Sequence, residues 1–130
     1  MKSVKILASL FLLLMVCSAF TNKGKGVYIV GVSASFTDSL IYFTDVQYVD
    51  GVELDKDGML PLRSQYSDQL DDYLEKQQGM KNRTCFIYFN KKGSKLENSV
   101  KKMKAKYQKD GKSILRETGS EFKFTKAVEQ

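Results

Sequence analysis

The feature that most restricts the fold is the run from Gly26 to Tyr48, GVYIVGVSASFTDSLIYFTDVQY, two β-rich segments joined by a turn. From Tyr28 the pattern alternates, placing Tyr28, Val30, Val32, Ala34 and Phe36 on one face of a strand. Val27 and Ile29 make the other face apolar at its start, and Ser33 and Ser35 make it polar later. Such a strand is central in its sheet, covered on one side and partly covered on the other. Thr37-Asp38-Ser39 supplies turn chemistry. A second strand is expected from Leu40 to about Val49, with Ile41 and Phe43 opposed to Tyr42 and Val46.

Beyond this hairpin, residues 50–62 read as a loop. Asp55-Lys56-Asp57-Gly58 opens like a calcium loop, but the twelfth position is Tyr66, where a closing Glu is needed, so a tight turn is expected. Ser64 is placed to cap a helix that ends near Gly79 and carries Tyr66, Leu70, Tyr73 and Leu74 on one stripe. Thr84 to Asn90 is a short apolar third strand. Ser94-Lys95-Leu96-Glu97 has the form of a capping box, and Gly111 lies just past the end of the helix it would open. Leu96, Val100, Met103 and Tyr107 make its buried stripe. Ser113 to Arg116 and Glu121 to Thr125 read as one interrupted strand or two short ones. The order predicts an α+β fold, a β-β-α-β-α-β two-layer sandwich whose mostly antiparallel sheet carries both helices on one face.

Residues 1–19 have the build of a secretory signal. Lys2 and Lys5 precede an apolar stretch from Ile6 to Val16, and Cys17-Ser18-Ala19 offers small residues for cleavage. The apolar stretch is too short to span a bilayer comfortably, so no membrane span is expected after cleavage. Leu14-Met15-Val16-Cys17 resembles a lipobox, which would anchor the chain through Cys17. The expected organisation is a signal over 1–19, a polar lead-in over 20–25, one domain over 26–126 and a tail over 127–130, in a periplasmic or secreted protein. Cys85 is then alone in the domain, without a disulfide framework, and reads as a small buried hydrophobe.

The chain has no His, which removes Ser-His-Asp triads, Cys-His dyads and ordinary zinc, haem or copper sites. No cofactor and no metal site is expected. Charge is spread unevenly. Residues 38–75 carry ten acids against two bases, and residues 76–130 carry fifteen bases against five acids. Either the two segments neutralise one another, or the basic one presents a face to an anionic polymer or a protein partner. The candidate binding residues are Lys95, Lys101, Lys102 and Lys106 on the second helix, with Asp45, which interrupts an apolar strand face. Ser33, Ser35, Asp45 and Gln47 would line a polar patch across the hairpin; an edge strand protected by charge is the competing reading.

Gly26-Val27-Tyr28, Tyr42-Phe43-Thr44, Arg63 and the Leu96-Glu97 helix start together resemble the GIY-YIG endonucleases. That resemblance implies a nuclease in which Tyr28 and Tyr42 orient water, Glu97 holds Mg²⁺ and Arg63 steadies phosphate charge. The same residues also read as strand aromatics and a capping-box Glu. In overall look (the GVSASF hairpin, the YFTD run and the Lys-rich second helix) the chain is similar to small exported proteins of unknown function from Bacteroidota, which imply no activity. The expected function is therefore a non-enzymatic exported binding module. The alternatives are a degenerate nuclease and a module that grips cell-wall glycan.

Overall fold

A computed structural model of the chain describes residues 25–129, so the signal-like segment, Cys17 and most of the lead-in lie outside the described residues. Strand β1 (Gly26–Ala34) is the axis of the molecule. On one side it pairs along its length with antiparallel β4 (Thr84–Asn90), from Tyr28↔Asn90 to Ala34↔Thr84. On the other side it pairs with β2 (Leu40–Phe43) and β3 (Gln47–Asp50), placed end to end. Strand β5 (Ile114–Glu117) lies parallel to β2 at the far edge.

The expected second strand is thus two. The register against β1 is Val32↔Phe43 before the break and Ile29↔Gln47 after it, so Val30 and Gly31 face three residues, Thr44 to Val46. One extra residue is accommodated as a bulge. Thr44 makes it tolerable, because its amide donates to the Gly31 carbonyl and its Oγ1 accepts from the Gly31 amide, both at 2.9 Å. A side-chain oxygen replaces the missing ladder carbonyl.

The α+β class, the mostly antiparallel sheet and the two helices are as the sequence predicts. The helices do not share a face, however. Helix α1 (Arg63–Gln78) covers the face of Val27 and Ile29, where Tyr66, Leu70 and Leu74 pack with Val49 and Ile87. Helix α2 (Gly93–Asp110) covers the opposite face, where Leu96 and Val100 pack with Val30, Val32, Ile41 and Phe43. The physical reason is in β1 itself: Val27, Ile29, Val30 and Val32 are all buried, so both faces need a cover. Gly31 lets α1 come close, since a Cβ there would stand 2.7 Å from Leu70 Cδ2.

Neither serine caps its helix. The N-cap of α1 is Leu62, held at φ 56°, and that of α2 is Lys92; neither makes a side-chain cap bond, and Ser64 and Ser94 lie inside the first turns. Chain entry is fixed by other means. Asn90 Oδ1 accepts from the Lys92 amide at 2.9 Å, and Gly93 sits against the Tyr28 ring, where a Cβ would come within 2.9 Å. The turn at Asp55 is as expected: its Oδ1 accepts from the amides of Asp57 and Met59, both at 2.9 Å, and Gly58 has φ 77°.

Residues 121–125 do not form the strand the pattern suggests. After a 3₁₀ turn (Gly119–Glu121) the chain runs irregularly across the α1 face, burying Phe122 and Phe124. Glutamine side chains stand in for a ladder. Gln47 donates to the Phe122 carbonyl at 3.0 Å and accepts from the Phe124 amide at 2.7 Å, and Gln69 brackets Thr125 in the same way, at 2.9 Å each. The segment seals the α1 face without joining the sheet.

Candidate binding surface

Strand β4 pairs with no strand other than β1, and its residues 84–90 carry no charge. Its α1-side residue Ile87 is buried, but on the α2 side Phe86 and Tyr88 remain 47% and 38% exposed. Leu96 and Val100 of α2 pack with side chains of β1 and β2, and although α2 also approaches β4, the cluster they form does not include Phe86 or Tyr88. Between β4 and α2 runs an open groove of about 700 Å³ lined by Tyr88, Met103, Lys106, Tyr107, Lys109 and Asp110. At its inner wall Tyr107 packs edge-on against Phe43 with ring centroids 6.2 Å apart. Beyond it, Phe36 and Phe86 border a shallow apolar recess of about 400 Å³ with Ala34, Ser35 and Thr84.

Helical spacing arms one side of this groove. Lys95, Lys102, Lys106 and Lys109 recur at seven, four and three residues and so fall on one flank of α2. Lys106 and Lys109 line the groove directly. Lys101 falls on the other flank, with Glu97 and Lys104, so the four predicted lysines do not form one cluster. Lys104 is spent within the fold, paired with Glu117 at 2.5 Å and lying 5.3 Å from the Phe43 ring centroid. Asp45 also faces that second flank. It shares a recess of about 210 Å³ at the bulge with Thr44, Val46, Glu97, Val100, Lys104 and Glu117. The structure therefore joins Asp45 to Glu97 and not to the lysine surface.

The nuclease constellation does not assemble. Tyr42 pairs with Ser33 and points to the α1 face, while Tyr28 points to the α2 face, where it meets Tyr48 at 5.0 Å. Arg63 lies at the β4 edge: its Nη2 donates to the Ile87 carbonyl at 2.5 Å and its guanidinium lies 5.4 Å from the Phe89 ring centroid. It shields an otherwise open strand edge. Tyr28, Tyr42, Arg63 and Glu97 thus occupy no common cleft. The expected hairpin patch is absent as well. Ser33 and Gln47 face α1, Ser35 bonds Thr37 within the loop at 2.9 Å, and Asp45 sits at the bulge on the α2 side.

Arg83 is the residue that sequence reasoning missed. Its side chain is fully buried. Nε donates to Ser33 Oγ at 2.9 Å, Nη1 to both Asp38 carboxylate oxygens at 3.0 and 2.9 Å, and Nη2 to the carbonyls of Ser33 and Leu40. The guanidinium also covers the Tyr42 ring at 5.1 Å. Burial pushes the Asp38 carboxyl up, but hydrogen bonds from Arg83 and the Leu40 amide, with the Arg83 charge, outweigh it and hold its pKa below the usual value. The only trace in the sequence is a lone acid in the turn and a lone Arg before β4, 45 positions apart. Nearby, Cys85 is only partly buried, packed against the α1-side core and not inside it as the sequence suggests, and burial raises its thiol pKa.

Comparison with protein-family models, with curated proteins and with solved structures gave no match.

Proposed function

We propose that this chain is a binding module that takes an extended anionic polymer in the groove between β4 and α2. The observation that carries this reading is the exposure of Phe86 and Tyr88 beside the flank of α2 that carries Lys95, Lys102, Lys106 and Lys109. Two aromatics at i and i+2 on one strand stand about 7 Å apart on the same face, a spacing suited to successive flat groups of an extended chain. The lysines supply sequence-independent attraction and the aromatics supply stacking, a combination suited to recognising a repeating polymer. No helix among the described residues is long and apolar enough to cross a membrane. The signal-like residues 1–19 favour an exported location for this binding.

The test is fluorescence anisotropy on residues 20–130 with a labelled single-stranded oligonucleotide and a labelled acidic polysaccharide, over a salt series. Binding is expected with Kd of about 10⁻⁴ to 10⁻⁶ M, weakening steeply as salt rises. Lys106→Glu should flatten the salt dependence by about one unit of slope, and Tyr88→Ala should weaken binding without changing that slope. Absence of binding at low salt, or binding indifferent to both substitutions, overturns the reading. A neutral cell-wall glycan is the second reading, favoured by the apolar recess beside Phe36 and Phe86. Retention on insoluble glycan in high salt distinguishes it.

A further inference from the structure

The outer edge of β4 carries main-chain chemistry that the groove does not use. Gly31 stands opposite Ile87, and Thr44, on the other side of β1, takes both the Gly31 amide and the Gly31 carbonyl. Gly31 and Ile87 are therefore a non-hydrogen-bonded pair, and the Ile87 amide and carbonyl point out of the sheet. The bond from Arg63 to the Ile87 carbonyl agrees with that direction. The two-residue period then sets the main-chain groups of Cys85, Ile87 and Phe89 along the outer edge. No other strand pairs with this edge, and residues 84–90 hold no charge or proline to block an incoming one.

The helix above this edge sets the charge of what can dock. Gln65, Gln69 and Tyr73 bind one flank of α1 to the C-terminal segment, at Val128, Thr125 and Glu121. Arg63, Ser67 and Asp71 recur every four residues on the far side of the buried stripe, and Arg63 fixes that flank over β4. Asp71 is partly buried there, with Asp68, Asp72 and Glu75 close by, and none of the four has an ion pair among the described residues. Their charge reaches the strand edge: burial is the first cause of the raised Cys85 thiol pKa, and the charges of Asp71 and Asp68 add to it, against the Ser33 hydrogen bond and the Arg83 charge. A second copy of the chain paired through β4 would set the same acids against these, so like charge opposes self-pairing and favours a cationic partner.

We propose that the outer edge of β4 takes an extended basic peptide segment of a partner protein as an added strand. Its main chain bonds to Cys85, Ile87 and Phe89, a lysine or arginine lies near Cys85 under the acids of α1, and apolar side chains at the alternate positions lie beside Phe86 and Tyr88. Arg63 shields the middle of the edge when no strand is bound. The edge is independent of the polyanion groove, since it reads main chain and takes the opposite charge.

Heteronuclear NMR on residues 20–130 tests it, with a blocked peptide of alternating lysine and valine as probe and a glutamate–valine peptide as control. Saturable shifts are expected at the amides of Cys85, Ile87 and Phe89 with the probe and not with the control. An added strand turns only every second amide toward β4. Methylating either the lysine or the valine amides of the probe should therefore abolish binding while methylating the other set should not, and the sensitive set gives the direction of the strand. Equal effects of the two patterns overturn the proposal, because attraction between charges alone does not depend on which amides are free. Asp71→Asn should weaken the probe about threefold, the worth of an exposed charge pair. Binding unchanged in that variant overturns the assigned charge. Self-association of the chain that the probe cannot displace would assign the edge to a second copy and overturn the proposal as well.

Discussion

Ile87 and Tyr88 are neighbours on one strand, yet Ile87 is sealed under α1 while Tyr88 lies open beside α2. The α1 face is closed by a helix and by the C-terminal segment, whose Phe122 and Phe124 meet at 4.8 Å and press on Tyr66 and Tyr73. The α2 face has a helix alone, and that helix leaves Phe86 and Tyr88 of the edge strand partly exposed. Apolar surface on the first face is committed to stability. On the second, part of it is held at the surface by a fold that is already satisfied elsewhere. Under the proposed reading, aromatics exposed next to a lysine flank are free to serve binding, because their burial is not needed to keep the chain folded.

That contrast is sharpest in mutants. Leu70→Ala, at a fully buried position touching the Gly31 backbone, should destabilise by about 4 kcal/mol in urea denaturation. A loss under about 1 kcal/mol would mean that the α1 face is less tightly packed than its geometry requires. Arg83→Met should come next, at about 3 kcal/mol, because it strands the Asp38 carboxylate, Ser33 Oγ and two carbonyls at the end of the hairpin. Wild-type stability in this variant would show that solvent replaces the guanidinium.

The two faces also differ in how far the sequence discloses them. Strand β1 is visible from its alternation, and both helices from their stripes at 70, 73, 74 and at 96, 100, 103, 107. Which face each helix takes is not visible, because apolar residues at 27, 29, 30 and 32 admit covers on both sides, and helices on one face or on two satisfy the same pattern. The Thr44 bulge escapes for a similar reason: a threonine side chain substituting for a carbonyl leaves no mark in the period. The lysines of α2 announce a basic helix, but only the sheet shows which of them stand beside Tyr88 and which are turned toward Glu97 and Glu117. Arg83 and Asp38 form a contact across 45 residues, which no local pattern encodes.

Two carboxylates on the sealed side should respond to acid with opposite signs. The Asp38 pKa is lowered in the folded chain, so its contribution is present above the unfolded value and is lost as pH falls through the folded one. The Asp71 pKa is raised, by burial first and then by the charges of Glu75, Asp72 and Asp68. Its penalty is complete at neutral pH and disappears as pH falls below the unfolded value. Asp71→Asn should therefore stabilise by about 0.5 kcal/mol at pH 7, with no gain near pH 3. Asp38→Asn should destabilise at pH 7 and approach the wild type only at lower pH, below the unfolded carboxylate value, as pH falls through the lowered folded one. Denaturation at both pH values checks the pair, and parallel shifts would contradict the assignment.

Only a small stability effect is expected where the largest binding effect is. Phe86→Ser and Tyr88→Ser remove aromatic rings that are about half in water, on a strand whose other face stays packed by Ile87. Each should change unfolding free energy by no more than about 1 kcal/mol. If either cost as much as Leu70→Ala, the rings would be core residues that merely reach the surface, and the distinction between the two faces would fall. If both leave the fold intact while abolishing polyanion binding, then stability and recognition are carried by opposite sides of the same strand.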